Sequence, residues 1–379
     1  MRPIVTPAEM RAVDAAAIAG GTSEATLVER AGWAVARQAR LMLGGSYGRT
    51  VVVVAGPGNN GADGRVAARF LSERGVRSTI LDARNLPDRI PPSDLVIDAA
   101  FGTGFRSEWS PPPVEAPVLA VDLPSGVDGA TGCAFGSPWT ASATVTFGAL
   151  KPGLLFGEGR KLSGAVEIAD IGLAIDSSSC FAVDSSDVRV PQRASDSHKW
   201  RSGLLVAAGS PGMLGAASLC SETALRAGAG IVHLFTPGAT SERSLPREVV
   251  RRSIASFDWS TDVLSAASTR FSAAIVGPGL GRDDATVREV RRLVAGIRLP
   301  LVVDGDALFA LGRDRSCLRS RSATTVLTPH DGEFAFLTGA PPTADRVGSV
   351  RAVAAETGSI CVLKGPVTAV ASDRKSTRL

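Results

Sequence analysis

The sequence predicts an α/β protein built on two parallel sheets, and three observations carry that expectation. Short apolar runs recur along the 379 residues, and they are continuous rather than alternating, as strands buried on both faces must be. Segments with apolar residues at helical spacing separate them. Each run closes in a loop rich in Gly, Pro, Asn or Asp, and in open α/β sheets ligands collect at such carboxyl ends.

In chain order, residues 6–43 read as helix: Thr6 is an N-cap, Pro7 takes the first helical position and Glu9 completes a capping box. TVVVVAG is a buried strand, and GRVAARFLSERG is a helix closed by Gly75. VRSTILDA, LVIDAAFG and PVLAVDLPSG are three further strands. The Ser-rich stretch at 184–197 reads as a linker between a first domain, 1–183, and a second, 198–372. After it the pattern restarts with strand GLLVAAG, loop SPGMLG, helix AASLCSETALRAG and strand GIVHLFT. AAIVGPGLG, LPLVVDGDAL, TVLTPHDGEF and SICVLKGPVTAVAS follow, the last read as a single strand.

Composition narrows the class. A net charge of +4 and the lack of a basic-aromatic stripe argue against nucleic acid. No signal peptide and no apolar run long enough to cross a bilayer are present, so no membrane partner is expected. Cys133, Cys180, Cys220, Cys317 and Cys361 are widely spaced without a C-x-x-C, which fits reduced thiols in the cytoplasm. Three scattered histidines give no zinc pattern.

Three loops at strand ends hold the candidate chemistry. Asn59-Asn60-Gly61-Ala62-Asp63-Gly64 matches neither G-x-G-x-x-G nor a Walker loop, yet it joins a strand to a helix, where free N–H groups favour an anion. Gly61 and Gly64 permit close approach and positive φ. The plainer alternative is an Asn-rich turn with Asp63 capping the helix. Asp98 ends a second strand, as catalytic group or as loop cap, and the third loop carries Asp122 and Ser125. Oxygens of Asn60, Asp98 and Ser125 can hold a hard cation, with Asp122 left for acid–base work.

Together GPGNNGADGRVAARFL, DAAFGTGF and DLPSGVDGATG resemble the YjeF N-terminal, NAD(P)H-hydrate epimerase family over about residues 5–175. The resemblance implies a Rossmann-like three-layer α/β/α domain, a potassium ion on Asn60, Asp98 and Ser125, and hydrated NADH or NADPH as substrate. Asn59, Asn60, Gly61, Ala62 and Asp63 would contact it, as would Gly102, Thr103, Gly104, Phe105 and Arg106. Asp122 would be the acid–base residue for inversion at C6, the hydroxyl-bearing ring carbon. The family usually has Gly where this chain has Ala62.

HKWRSGLLVAAGSPGMLGAASLCSETALRAGAGIVHLFTP, AAIVGPGLG, VVDGDAL, LTPHDGEF and LKGPVTAV resemble the ADP-dependent NAD(P)H-hydrate dehydratase family, a ribokinase-like fold. By that match Ala216, Gly279 and His330 line the hydrated dinucleotide. Lys364, Gly365, Pro366, Val367 and Thr368 meet the phosphates of ADP or ATP, bound with magnesium. His330 also reads as a loop cap, and Met213 replaces a frequent Tyr. The order of the halves is that of bifunctional repair enzymes joining an isomerase to a lyase; a homo-oligomer stays open.

That family carries a late Gly-Thr-Gly-Asp turn, and the chain reaches Leu379 without one. DRKSTRL, 373–379, reads as a non-family tail after a truncated frame, so the dehydratase half is expected to be impaired and less stable than the first. Two other readings compete: a small-molecule kinase of the ribokinase-like group, and a non-catalytic nucleotide-binding scaffold.

Overall fold

Helix α1 (Pro7–Ala19) begins with the expected capping box: Thr6 Oγ1 accepts from the Glu9 N–H at 3.2 Å, and Glu9 accepts from the Thr6 N–H at 2.7 Å. The helical run to residue 43 is not continuous. It breaks at Gly20 and Gly21, the latter at φ +99°, and Ser23 caps a second helix, α2 (Glu24–Leu43). A paired Gly followed by Thr-Ser is a stop and a restart written in sequence.

The computed structural model describes residues 1–175, 178–190, 192, 194–239, 245–267, 270–312 and 314–372; the stretch read as a tail lies outside them. The chain divides into two units, Met1–Arg189 and Val190–Leu379.

Unit 1 adds β1 (Arg2–Ile4), β2 (Thr50–Ala55), α3 (Asn59–Ser72), β3 (Arg77–Asp82), β4 (Leu95–Ala99), β5 (Val118–Val121), β6 (Ala143–Phe147), α4 (Gly159–Leu162), β7 (Ala165–Ala169) and β8 (Cys180–Ala182). Six strands form a parallel sheet in the order β3-β2-β4-β5-β6-β7, and β1 pairs antiparallel with β8. The valine run of β2 is buried on both faces. Val51 and Val53 face Ala31, Val35, Ala67 and Leu71 of α2 and α3, while Val52 and Val54 face Ile90, Trp109 and Trp139 from loop segments. From β2 the chain goes to β3 on one side and returns to β4 on the other. The crevice beyond β2 and β4 is therefore the topological switch point, where such sheets hold ligands.

Helix α3 starts earlier than its apolar pattern indicates, directly after β2, with Gly58 as N-cap. Gly61 and Gly64 lie within it and not at positive φ. Their need is close approach: a Cβ on Gly61 would stand 1.9 Å from Gly56 O, and one on Gly64 2.5 Å from Ala99 Cβ. Asp63 is inside the helix and caps nothing. Ala62 is helical as well, and its N–H bonds Gly58 O at 3.0 Å. Ala62→Gly is therefore expected to destabilise unit 1 by about 0.5–1 kcal/mol, lowering its melting temperature by roughly 1–4 °C. A rise in that temperature would show instead that the methyl group strains the turn.

Unit 2 comprises β9 (Gly203–Ala207), α5 (Leu214–Arg226), β10 (Ile231–Pro237), β11 (Val250–Ile254), α6 (Trp259–Ala266), β12 (Ala273–Val276) and α7 (Asp284–Gly296). There follow β13 (Leu301–Val303), α8 (Asp306–Leu311), α9 (Ser316–Arg319), β14 (Thr325–Leu327), α10 (Asp331–Thr338), α11 (Arg346–Thr357), β15 (Ile360–Leu363) and β16 (Ala369–Ala371). The sheet order is β11-β10-β9-β12-β13-β14-β15-β16, with its switch point between β9 and β12. Its pairs are parallel except β15 with β16. The run read as one final strand is thus a hairpin, turning at 364–368, because Gly365-Pro366 interrupts it.

Candidate active site

In unit 1 the loops after β2, β4 and β5 meet at the switch point around a cavity of about 530 Å³. Asn59, Asn60, Asp63, Gly102, Thr103, Gly104, Phe105 and Asp122 are on its wall. Of the other expected contacts, Gly61 and Ala62 belong to α3 but not to the wall, and Arg106 turns away to Asp128 at 2.7 Å. Phe101 and Phe105 stack at 4.0 Å between ring centroids and give the cavity a flat aromatic side.

Asp122 leaves β5 at φ +65°, a conformation that costs a non-glycine residue energy and is found where surrounding structure enforces it. The enforcement is visible. Its N–H bonds Val145 O at 2.7 Å, and its Oδ1 accepts from Lys151 Nζ at 2.5 Å, Thr146 Oγ1 at 3.0 Å and the Phe147 N–H at 3.4 Å. Lys151 is 1% exposed and also donates to Thr146 Oγ1 at 2.8 Å and Phe147 O at 3.0 Å. A buried ammonium needs such full satisfaction.

Lys151 was not selected from the sequence. It lies 29 residues beyond Asp122, and β6 brings it back. A lysine inside the apolar stretch GALKPGLL is the one local signal that could have found it. Asp14 of α1 was also missed and lines the same cavity. Burial raises its carboxyl above the ordinary range; Lys151 opposes that and Asp122 adds to it. Burial, and then the charges of Asp122 and Asp14, pushes Asp63 up to about 8.

Beside the cavity, Asp98 is fully buried at the end of β4. Ser125 donates to it from its N–H at 2.9 Å and its Oγ at 2.6 Å. Burial raises this carboxyl, and the bonds from Ser125 and Ala100 hold it down. Asn60 Nδ2 bonds Phe101 O at 3.1 Å and Val121 O at 2.9 Å, and Ser125 Oγ lies 3.2 Å from Phe101 O. The three residues expected to share a cation are thus brought together. The Asp98 carboxylate, the Ser125 hydroxyl and the Phe101 carbonyl supply oxygens of the kind a hard cation takes, and among the described residues no basic side chain bonds Asp98. Among the described residues no group of three or more His, Cys, Asp and Glu is placed to hold a metal.

In unit 2, Ala216 and Gly279 meet at the switch point. A Cβ on Gly279, at φ +68°, would stand 3.2 Å from Ala216 Cβ. His330 takes the capping role that its sequence context left open: Nδ1 accepts from the N–H groups of Gly332 at 3.0 Å and Glu333 at 3.3 Å. Lys364 leaves β15 and its Nζ lies 2.9 Å from Asp304 Oδ1 and 3.4 Å from Glu333 Oε2, two carboxylates the sequence reading passed over. Gly365, Pro366, Val367 and Thr368 form the hairpin turn beyond it. A cavity of about 330 Å³ elsewhere in this unit, lined by Trp200, His233 and Phe271, includes none of the sequence-selected residues.

Two α/β units built on parallel sheets, the first with carboxylates and a buried lysine around a switch-point cavity, define a two-domain enzyme of the class that takes small molecules at strand ends. Residues 24–89 and 78–153 match the family model "YjeF-related protein N-terminus", and residues 204–379 match "NAD(P)H-hydrate dehydratase". The chain is 34% identical over 408 residues to the bifunctional NAD(P)H-hydrate repair enzyme Nnr of Mycobacterium tuberculosis, covering 98% of this chain and 82% of that one. It is 32% identical to the Escherichia coli enzyme of that name, over 85% of this chain and 69% of that one. The chain belongs to the family of bifunctional NAD(P)H-hydrate repair enzymes. A solved ADP/ATP-dependent NAD(P)H-hydrate dehydratase from Bacillus subtilis, co-crystallised with ATP and magnesium, is 28% identical with a TM-score of 0.40, over 48% of this chain and 65% of that one. Among the described residues no helix is long and apolar enough to cross a membrane.

Proposed function

We propose that unit 1 interconverts the R and S forms of hydrated NADH or NADPH, and that unit 2 dehydrates the S form in a reaction that consumes ADP or ATP with magnesium. The observation that carries the first half is the buried Lys151–Asp122 pair at the switch-point cavity of the unit that matches the YjeF family. The hydroxyl on C6 neighbours ring nitrogen N1. When it leaves as water, the N1 lone pair stabilises the cation, and water returning on the other face gives the epimer. Asp122 handles a proton in that exchange, and Lys151 and Thr146 orient its carboxylate. The uncapped start of α3 offers free N–H groups to the dinucleotide phosphates, and Phe101 and Phe105 offer a plane to a ring.

Potassium fits Asn60, Asp98 and Ser125. It would supply the positive charge that buried Asp98 lacks and so pin the three loops together. In unit 2, Ala216, Gly279 and His330 would line the hydrated dinucleotide, while Lys364 to Thr368 would take the adenine nucleotide. Asp304 and Glu333, beside Lys364, add oxygens of the kind magnesium prefers. The free thiols of all five cysteines favour a reducing, cytoplasmic setting.

One assay separates the halves. The full chain receives ADP, magnesium and either the S or the R form alone, and reduced cofactor is followed by absorbance. The expected result is cofactor from both forms, formed slowly because the second half is the one expected to be impaired. No product from S would remove the dehydratase half of the reading, and product from S but not from R, beyond the enzyme-free rate, would remove the epimerase half.

A further inference from the structure

We propose that Asp63 is the proton donor to the departing C6 hydroxyl, in the cavity whose wall it shares with Asp122. The proposal rests on the reading of unit 1 as an epimerase and assigns the second half of its proton chemistry.

Asp63 is 6% exposed, and what is open of it is on the cavity wall. It sits one helical turn into α3, on the rigid element that the glycine contacts lock to the sheet. Among the described residues, none donates a hydrogen bond to its carboxyl or pairs with it. The charged groups around the same cavity are Arg11 and Asp14 of α1, Glu24 of α2, Asp122 after β5 and Lys151 after β6. The ammonium that could neutralise Asp63 is committed to Asp122 at 2.5 Å. Asp98, the other buried acid nearby, is committed to Ser125. Asp63 is thus a carboxyl removed from water, without a counter-ion and among other acids. Such a group keeps its proton at neutral pH and can give it away, and its rise to about 8 agrees. Asp122, with three donors on Oδ1, has the opposite environment. Two carboxyls with contrasting surroundings on one cavity are an acid and a base.

The step balances. The Asp63 proton goes to the C6 hydroxyl oxygen, the C6–O bond breaks with its electron pair on the leaving water, and the N1 lone pair closes a C6=N1 double bond. A second water adds to the opposite face, and the C6=N1 pair returns to N1. The surplus proton of that water passes to Asp122. One proton has then moved from Asp63 to Asp122; proton exchange with water resets the two carboxyls before the next turnover, and the same steps in reverse convert S into R.

The test measures R-to-S conversion without adenine nucleotide, across pH, for the wild-type chain and Asp63→Asn. Wild-type kcat is expected to fall above pH about 8, by about tenfold per pH unit, as the donor is lost. Asp63→Asn is expected to lower kcat by about 10²–10⁴-fold with KM little changed, and to abolish that basic limb. Conversion by Asp63→Asn at close to the wild-type rate, or a wild-type profile without a basic limb, would overturn the donor role while the epimerase reading stands. A wild-type chain inert toward both forms at every pH removes the reading and the proposal with it. Where the variant does not fold, the wild-type profile alone decides.

Discussion

Asp122→Asn is expected to lower R-to-S conversion by about 10²–10⁴-fold, mainly in kcat, with the fold intact. The fold should survive because φ +65° at this position is one that Asn accepts as readily as Asp. The amide keeps an oxygen for Lys151 and Thr146 but carries no charge and takes no proton from water. Melting temperature and kinetics are read on the same preparation. A variant that folds and converts the hydrate at the wild-type rate would place the base elsewhere in the cavity.

Lys151→Met is expected to have the largest effect on stability. The side chain is 1% exposed, and its loss leaves the Asp122 carboxylate without its ion-pair partner. Breaking such a pair from one side costs about 3–5 kcal/mol, and the melting temperature of unit 1 should fall on the order of 10 °C. The double variant Lys151→Met with Asp122→Asn should recover part of that loss, since no charge is then stranded. Calorimetry of the four proteins gives the coupling directly. Equal melting of Lys151→Met and wild type would mean that the pair is not the buried interaction described here.

How much of this was legible in the sequence follows from the range of each interaction. Local signals were read correctly at Thr6 and Glu9, which contact each other within one helical turn. The four valines of β2 announced a strand covered on both faces, and three polar loops at strand ends pointed to one edge of one sheet. The break at Gly20–Gly21 and the turn at Gly365–Pro366 are also written locally, but the apolar pattern continues on either side and masks them. Lys151 carries one local signal, a charge inside an apolar stretch, and Asp14 carries none; the partner of each is set by the crossover to β6 and the packing of α1, which bring them to Asp122 and Asp63. The state of Asp63 was illegible for the same reason. Asn-Asn-Gly-Ala-Asp-Gly shows a polar loop, whereas the fold turns its Asp into a buried acid on the helix itself.

The most direct test of the account is chromatographic. Purified wild-type chain with potassium is given the resolved R form of hydrated NADPH and no adenine nucleotide, beside Asp122→Asn and an enzyme-free control. The account predicts rapid appearance of the S form with wild type and a rate near the control with the variant. Wild-type protein, folded by its melting curve, that leaves the R form converting at the enzyme-free rate would contradict it.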